Sequence, residues 1–125
     1  QVEQAGGRAF AHALDVRDPG SIDAFCSAAE SALGPIDLLI NNAGENRASL
    51  IHEASHDDLR SDIEINLLGA IFMTRRVLPA MLARGRGDVV FIGSDSAKHP
   101  RPYQGAYAAA KHGLEAFARV AQAFC

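Results

Sequence analysis

Apolar and polar positions fall into blocks along this chain, and the period changes from block to block. Gly6-Gly7 closes a short leading segment that reads as a helix tail, since glycine ends helices by entering the left-handed region. Arg8–Val16 (RAFAHALDV) reads as a strand. Asp18-Pro19-Gly20-Ser21 is a turn that opens a helix, with proline near the first helical turn, where its missing N–H costs nothing. Ile22, Phe25, Cys26, Ala29 and Leu33 follow at three- and four-residue steps, the spacing of one buried helical face, and Gly34-Pro35 ends it. Ile36–Ile40 is a short apolar run, expected to be a strand buried on both faces. After a polar loop the pattern predicts a long helix from about His56 to Leu82, with Leu59, Ile63, Leu67, Ile71, Leu78 and Leu82 on one stripe. Pro79 lies within it and marks an expected kink or change of direction. Gly85-Arg86-Gly87 turns the chain into Asp88–Ile92 (DVVFI), a second buried strand, and a polar loop from Gly93 to Pro102 leads to a last helix from about Tyr103 onward.

Strands therefore alternate with helices, which predicts an α/β fold with a parallel sheet and helices on both faces. In such folds the C-terminal ends of the strands share one edge, and ligands bind there. Asp15–Asp18, Asn41–Asn46 and Gly93–Lys98 should line that edge together. There is no internal repeat, low-complexity tract or linker in the pattern.

Length and charge narrow the function classes. The 125 residues suit a single domain, and 48% apolar with 22% charged residues is an ordinary globular balance. A net charge of -3 gives no electrostatic reason to expect nucleic acid or anionic membrane as a partner. No apolar run looks long enough to span a bilayer. Cys26 and Cys125 lie far apart without CxxC spacing, and both are expected to be reduced thiols of a cytoplasmic protein. The chain opens on polar Gln1-Val2-Glu3-Gln4 and stops at Ala123-Phe124-Cys125 within an apolar helical pattern, so it is expected to be a fragment of a longer protein.

The sharpest chemical signal is Tyr107-Ala-Ala-Ala-Lys111. Residues four apart share a helical face, so the ammonium sits near the phenol. A nearby positive charge favours phenolate, which tunes a tyrosine to exchange a proton with an alcohol or carbonyl. Alone, the pair equally describes a surface aromatic beside a solvated lysine. Ser94 follows the strand Asp88–Ile92 at the ligand edge, where a hydroxyl can donate to a substrate oxygen as charge develops on it; Ser96 competes for that role, and either could simply form a turn. Asn41-Asn42-Ala43-Gly44 comes straight after a buried strand, where small residues admit a flat ligand or merely turn the chain. Asn66 sits mid-helix, a poor place for asparagine by propensity; it faces water, or it bonds a bent main chain or holds a water.

Taken together these residues resemble the short-chain dehydrogenase/reductase family. Asp15-Val16, Asn41-Asn42-Ala43-Gly44, Asn66, Ser94, then Tyr107 thirteen residues on and Lys111 stand in family order over nearly the whole chain. NNAG favours the compact subgroup over the extended one. The resemblance implies a Rossmann-like, doubly wound parallel sheet of which residues 1–125 are the central part of one NAD(P)-binding domain, with the first βαβ unit and last strands missing. It implies NAD or NADP as cofactor and a small-molecule alcohol or ketone as substrate. Tyr107 would be the general acid/base, and Lys111 would favour its phenolate and hold the nicotinamide ribose. Ser94, which has the family spacing that Ser96 lacks, would orient substrate. Asn66 would position a water in the proton relay to Lys111. Asp15 and Val16 would contact adenine, and Asn41, Ala43 and Gly44 would wall the adenosine. A homodimer or homotetramer through the two long helices is also implied, and Ile71-Phe72-Met73, apolar in succession, fits it. The glycine-rich pyrophosphate turn and the residue that selects NAD or NADP are not in this sequence; Gly6-Gly7 follows a helix and cannot be that turn.

His52-Glu53-Ala54-Ser55-His56 matches HExxH, the zinc-protease pattern. Ser55 with Asp58 three residues on looks like a helix cap, which would leave His52 outside the helix and remove the shared face that metal binding needs; no metal site is expected. Arg75-Arg76 is expected to be a solvated helix face, and His12, His99 and His112 are scattered. The alternative reading is a non-catalytic sensor or scaffold that keeps the fold and the nicotinamide site. It has no need of Ser94, Tyr107, Lys111 and Asn66 all at once.

Overall fold

In the computed structural model, which describes residues 1–123, helix α1 (Pro19–Leu33) starts within the turn that the sequence predicts to open it. The Asp18 carboxylate accepts from the Gly20 and Ser21 amides, and Pro19 opens the helix. Strand β1 is Leu38–Asn41. The long helix opens as α2 (His56–Ile63), passes through one turn of π-helix at Glu64–Leu68 and continues as α3 (Gly69–Arg84). Strand β2 is Asp88–Phe91 and helix α4 is Gly105–Ala121. A 3-10 turn at Glu3–Ala5 ends on Gly6, whose φ of 81° is the left-handed stop that Gly6-Gly7 predicts. Pro79 sits inside α3 without ending it. Phe124 and Cys125 lie outside the described residues.

β1 and β2 pair in parallel, with Leu38 opposite Asp88 and Asn41 opposite Phe91. Parallel neighbours need a long crossover, which α2 and α3 supply. Alternate residues of the two strands face the helices. Leu39 joins Val16, Ile22, Cys26, Met73, Val77 and Met81 in the core, with Val89 against it. Phe91 meets Phe117 of α4 edge-on, ring centroids 5.8 Å apart. α1, α3 and α4 thus lie on one face of the sheet; the second helical layer of a doubly wound sheet is not among the described residues.

Two expectations are corrected by this arrangement. The apolar strand runs bury one face only: Leu38 and Ile40 remain 52% and 55% exposed, because every packed helix is on the other side. Arg8–Val16 forms no strand. A strand exists by its ladder, and this segment lies across a narrow cleft of about 60 Å³ from β1, reached by Leu14 and Val16, without bonding to it. A third correction concerns length. The continuous helix His56–Arg84 has 29 residues and a mean hydropathy of 1.3 over its most apolar window, enough by those measures to cross a bilayer. Here it is the central helix of the packed layer, with Ala70, Met73, Thr74, Val77 and Met81 buried.

Gly69 marks the tightest point of that layer. A Cβ there would lie 2.7 Å from Val16 Cγ2 and 3.3 Å from the Val16 carbonyl oxygen, and backbone cannot swing away as a flexible side chain can. Gly69→Ala is therefore expected to destabilise the full-length parent by about 1–3 kcal/mol. Chemical denaturation checks this, and an unchanged midpoint and slope would remove the close-packing argument.

Candidate active site

Tyr107 and Lys111 lie one turn apart on α4, with Lys111 Nζ 5.8 Å from the Tyr107 ring centroid. The lysine is 5% exposed and donates to the Ile92 carbonyl oxygen at 2.9 Å, at the end of β2. Burial pushes its pKa down, because the ammonium leaves water and gains no carboxylate in exchange. Of its three donors, two are not engaged by that bond.

Asn66 faces this lysine from the π turn. The Gly69 amide there reaches back five residues to the Glu64 carbonyl, so the helix is locally wide. Asn66 Nδ2 donates to the Asp62 carbonyl at 2.9 Å within the helix and to the Glu45 carbonyl at 2.6 Å across from it. Its Oδ1 is buried and, among the described residues, receives no hydrogen bond. A Cβ on Gly44 would stand 2.7 Å from that Oδ1 and 3.7 Å from Lys111 Nζ. Gly44, Asn66 and Lys111 therefore surround one small hollow with an acceptor on one wall and an ammonium on another. A water or hydroxyl that bonds both fits such a site. Space, rather than an unusual φ, is what calls for glycine at position 44.

The two candidate serines separate by what they touch. Ser94 caps the 3-10 turn Asp95–Ala97, its oxygen accepting from the Ser96 amide at 3.2 Å, so its own proton stays available to donate. Ser96 is buried and donates to Gln104 Oε1 at 3.0 Å, tying the loop to the start of α4.

Asp15, Val16, Asn41 and Ala43 form a second group beside the narrow cleft next to β1. Val16, Asn41 and Ala43 line the cleft itself. The exposed Asp15 carboxylate is gripped by the Arg17 guanidinium at 2.7 Å and by the Arg17 amide at 3.0 Å, and these bonds hold its pKa down at about 2. Asn41 turns its amide inward to Thr74 Oγ1 at 3.3 Å, which leaves its main chain to border the cleft. Both groups lie at the C-terminal ends of the strands, as alternation predicts. His52 precedes α2, whose cap is Ser55, so the HExxH spacing does not place both histidines on one helical face.

Sequence reading passed over Glu45, Arg47 and Ser61, which surround the contact to Asn66, and Thr74, which holds Asn41. The one available signal was spacing: Asp58, Ser61, Asp62 and Asn66 recur at three- and four-residue steps and mark a polar helical face.

The parallel strands joined by a long helical crossover belong to an α/β fold of Rossmann type, here incomplete. A family profile described as short chain dehydrogenase matches residues 1–123, and the chain belongs to that family. It is 39% identical over 113 residues to the ketoacyl reductase HetN of Nostoc sp., covering 90% of this chain and 39% of that protein. It is 40% identical over 104 residues to dehydrogenase/reductase SDR family member 7B of Bos taurus, covering 83% of this chain and 32% of that one. Among solved structures, an alcohol dehydrogenase from the archaeon Thermococcus sibiricus complexed with 5-hydroxy-NADP superimposes with a TM-score of 0.89 at 28% identity, covering 98% of this chain and 52% of that chain. The chain thus spans well under half the length of these two relatives.

Proposed function

We propose that residues 1–125 are the central part of a single NAD(P)-binding domain, and that the full-length parent interconverts a secondary alcohol and a ketone with NAD or NADP. The observation that carries this reading is the buried Lys111 ammonium, without a carboxylate partner among the described residues, one turn from Tyr107 and facing the bare Asn66 oxygen. A buried charge and a buried bare acceptor are both unfavourable in isolation, and a shared ligand relieves both. A nicotinamide cofactor, when bound, supplies or accepts the hydride. The chain's own residues handle position and proton. The Tyr107 hydroxyl gives a proton to the carbonyl oxygen in reduction and takes it back in oxidation. Ser94 donates to the same oxygen as charge builds on it. The free donors of Lys111 would hold ribose hydroxyls, and Asn66 Oδ1 would hold a water in reach of the ammonium. Asp15 and Val16 would border adenine, with Asn41, Ala43 and Gly44 as the wall beside the adenosine. The test is oxidation of NADH or NADPH by the full-length parent with a panel of ketones. Tight cofactor binding with no turnover of any ketone, nor of any secondary alcohol in reverse, would favour a sensor or scaffold instead.

We also propose a cytoplasmic homodimer or homotetramer joined through the two long helices. Phe72 packs on the core and Met73 is buried, but Ile71 borders an open apolar groove of about 330 Å³ between α3 and α4, lined also by Leu78, Leu82, Phe117 and Val120. An apolar surface of this kind favours a protein partner. Light scattering on the parent should report a dimer or larger, and Leu78→Glu should shift it towards monomer; a monomer throughout would contradict the proposal.

A further inference from the structure

Helix geometry alone does not aim Asn66. The torsion that turns its terminal amide is broad, so hydrogen bonds decide which way the oxygen points. Nδ2 is held by one acceptor inside the helix, the Asp62 carbonyl, and by one outside it, the Glu45 carbonyl. The second fixes the amide plane, and Oδ1 then faces Gly44. Where the main chain of Glu45 sits therefore decides where Oδ1 points. That main chain belongs to a loop whose flanking residues are exposed on both sides, Asn42–Gly44 before it and Asn46–Ala48 after it.

The Glu45 side chain holds this loop in place. Its Oε1 accepts from Ser61 Oγ at 2.6 Å and from Arg47 Nε at 2.8 Å. Arg47 reaches on to Asp58 Oδ1 at 2.8 Å, and its amide donates to Asp62 Oδ1 at 3.2 Å. Asp58, Ser61 and Asp62 all belong to α2, the helix that leads into the π turn. The loop and the turn are thus parts of one hydrogen-bonded frame, with Glu45 meeting Asn66 at one end of the residue and Ser61 at the other.

We propose that Glu45 is a positioning residue for the proton-handling site: its carboxylate, clamped by Ser61 and Arg47, fixes its own carbonyl oxygen against Asn66 Nδ2 and so aims Asn66 Oδ1 into the hollow between Gly44 and Lys111. This rests on the oxidoreductase reading above. The hydrogen bonds from Ser61 and Arg47 also hold the carboxyl below the usual glutamate pKa, which keeps the clamp charged at neutral pH. A glutamate that merely anchored the loop would act on stability and on cofactor binding, whether or not Asn66 were present.

A double-mutant cycle in the full-length parent separates the two roles. Glu45→Ala should lower kcat about tenfold, as a misplaced relay group does, and leave KM for the cofactor within about twofold. Glu45→Gln keeps an acceptor for Ser61 and Arg47 and should recover most of the loss. In an Asn66→Ala background, Glu45→Ala should cause no further drop, because the carbonyl has nothing left to aim. Additive losses, a matching rise in KM, or a glutamine variant no better than alanine would each overturn the proposal. If Glu45→Ala does not fold, Ser61→Ala serves in the same cycle, with a loss expected alongside Asn66 and none without it. Tyr107→Phe is the control. Absence of ketone turnover in the unmutated parent would refute the oxidoreductase reading itself, whereas turnover that is present there and lost in Tyr107→Phe, together with additive Glu45 and Asn66 effects, would refute only the positioning role.

Discussion

Tyr107→Phe in the full-length parent is expected to abolish measurable turnover and leave cofactor affinity close to that of the wild type. The substitution removes one oxygen and keeps the ring. Tyr107 stands on α4 one turn before Lys111, and Lys111 is held from another direction by the Ile92 carbonyl at 2.9 Å. Nothing that fixes the lysine depends on the hydroxyl, so the surfaces offered to a cofactor should survive. What is lost is the proton donor. Positioned general acids contribute about 10²–10⁴-fold to rate, and the other hydroxyl assigned to the substrate oxygen, that of Ser94, lacks a buried lysine one turn away. Steady-state kinetics with a fluorescence titration of reduced cofactor would check both halves. Retention of more than about a tenth of the wild-type rate would remove Tyr107 from the proton-donor role.

Ser94→Ala should lower turnover about 10²–10³-fold, the scale of losing one donor to a developing oxyanion. Ser96→Ala should do far less to rate and more to stability. The difference follows from their bonds. Ser94 receives a hydrogen bond from the Ser96 amide and keeps its proton, while Ser96 gives its proton to Gln104 in a buried contact. Losing that contact leaves Gln104 Oε1 short of a donor, at a cost of about 1–3 kcal/mol. Kinetics and denaturation of the two variants, measured side by side, test the assignment. A larger rate loss for Ser96→Ala would exchange the roles of the two serines.

Local signals were legible in the sequence because each is complete within a few residues. Asp18 and Ser55 both cap helices, and each bonds an amide two or three positions on. Tyr107 and Lys111 need only a helix between them. The segments that misled depend on partners far along the chain. RAFAHALDV reads as a strand, but a ladder needs a neighbour, and among the described residues no strand pairs with it. Leu38 and Ile40 look like core residues, and they are bare because the helices occupy the opposite face. Glu45 was invisible for a related reason. A glutamate after a glycine turn reads as solvated, and its bond to Ser61 spans sixteen residues. Asn66 stands out as misplaced in a helix, yet its acceptor outside the helix lies twenty-one residues upstream.

The single turn of π-helix at Glu64–Leu68 makes the spacing between α2 and α3 a matter of counting. Such a turn holds one residue more than regular α-helix would need. Deleting one residue within it would let the helix close into unbroken α-geometry, and everything downstream would keep its phase relative to α2, because the wide turn spends one extra residue on the same rotation. Met73, Thr74 and Val77 would stay turned towards the sheet, while the wide turn that presents Asn66 to Gly44 would be gone. A one-codon deletion in regular α-helix re-phases everything after it, whereas here it is a local event. The packed layer should therefore survive the loss of one residue between positions 64 and 68, and what such a loss removes is the presentation of Asn66 to the site.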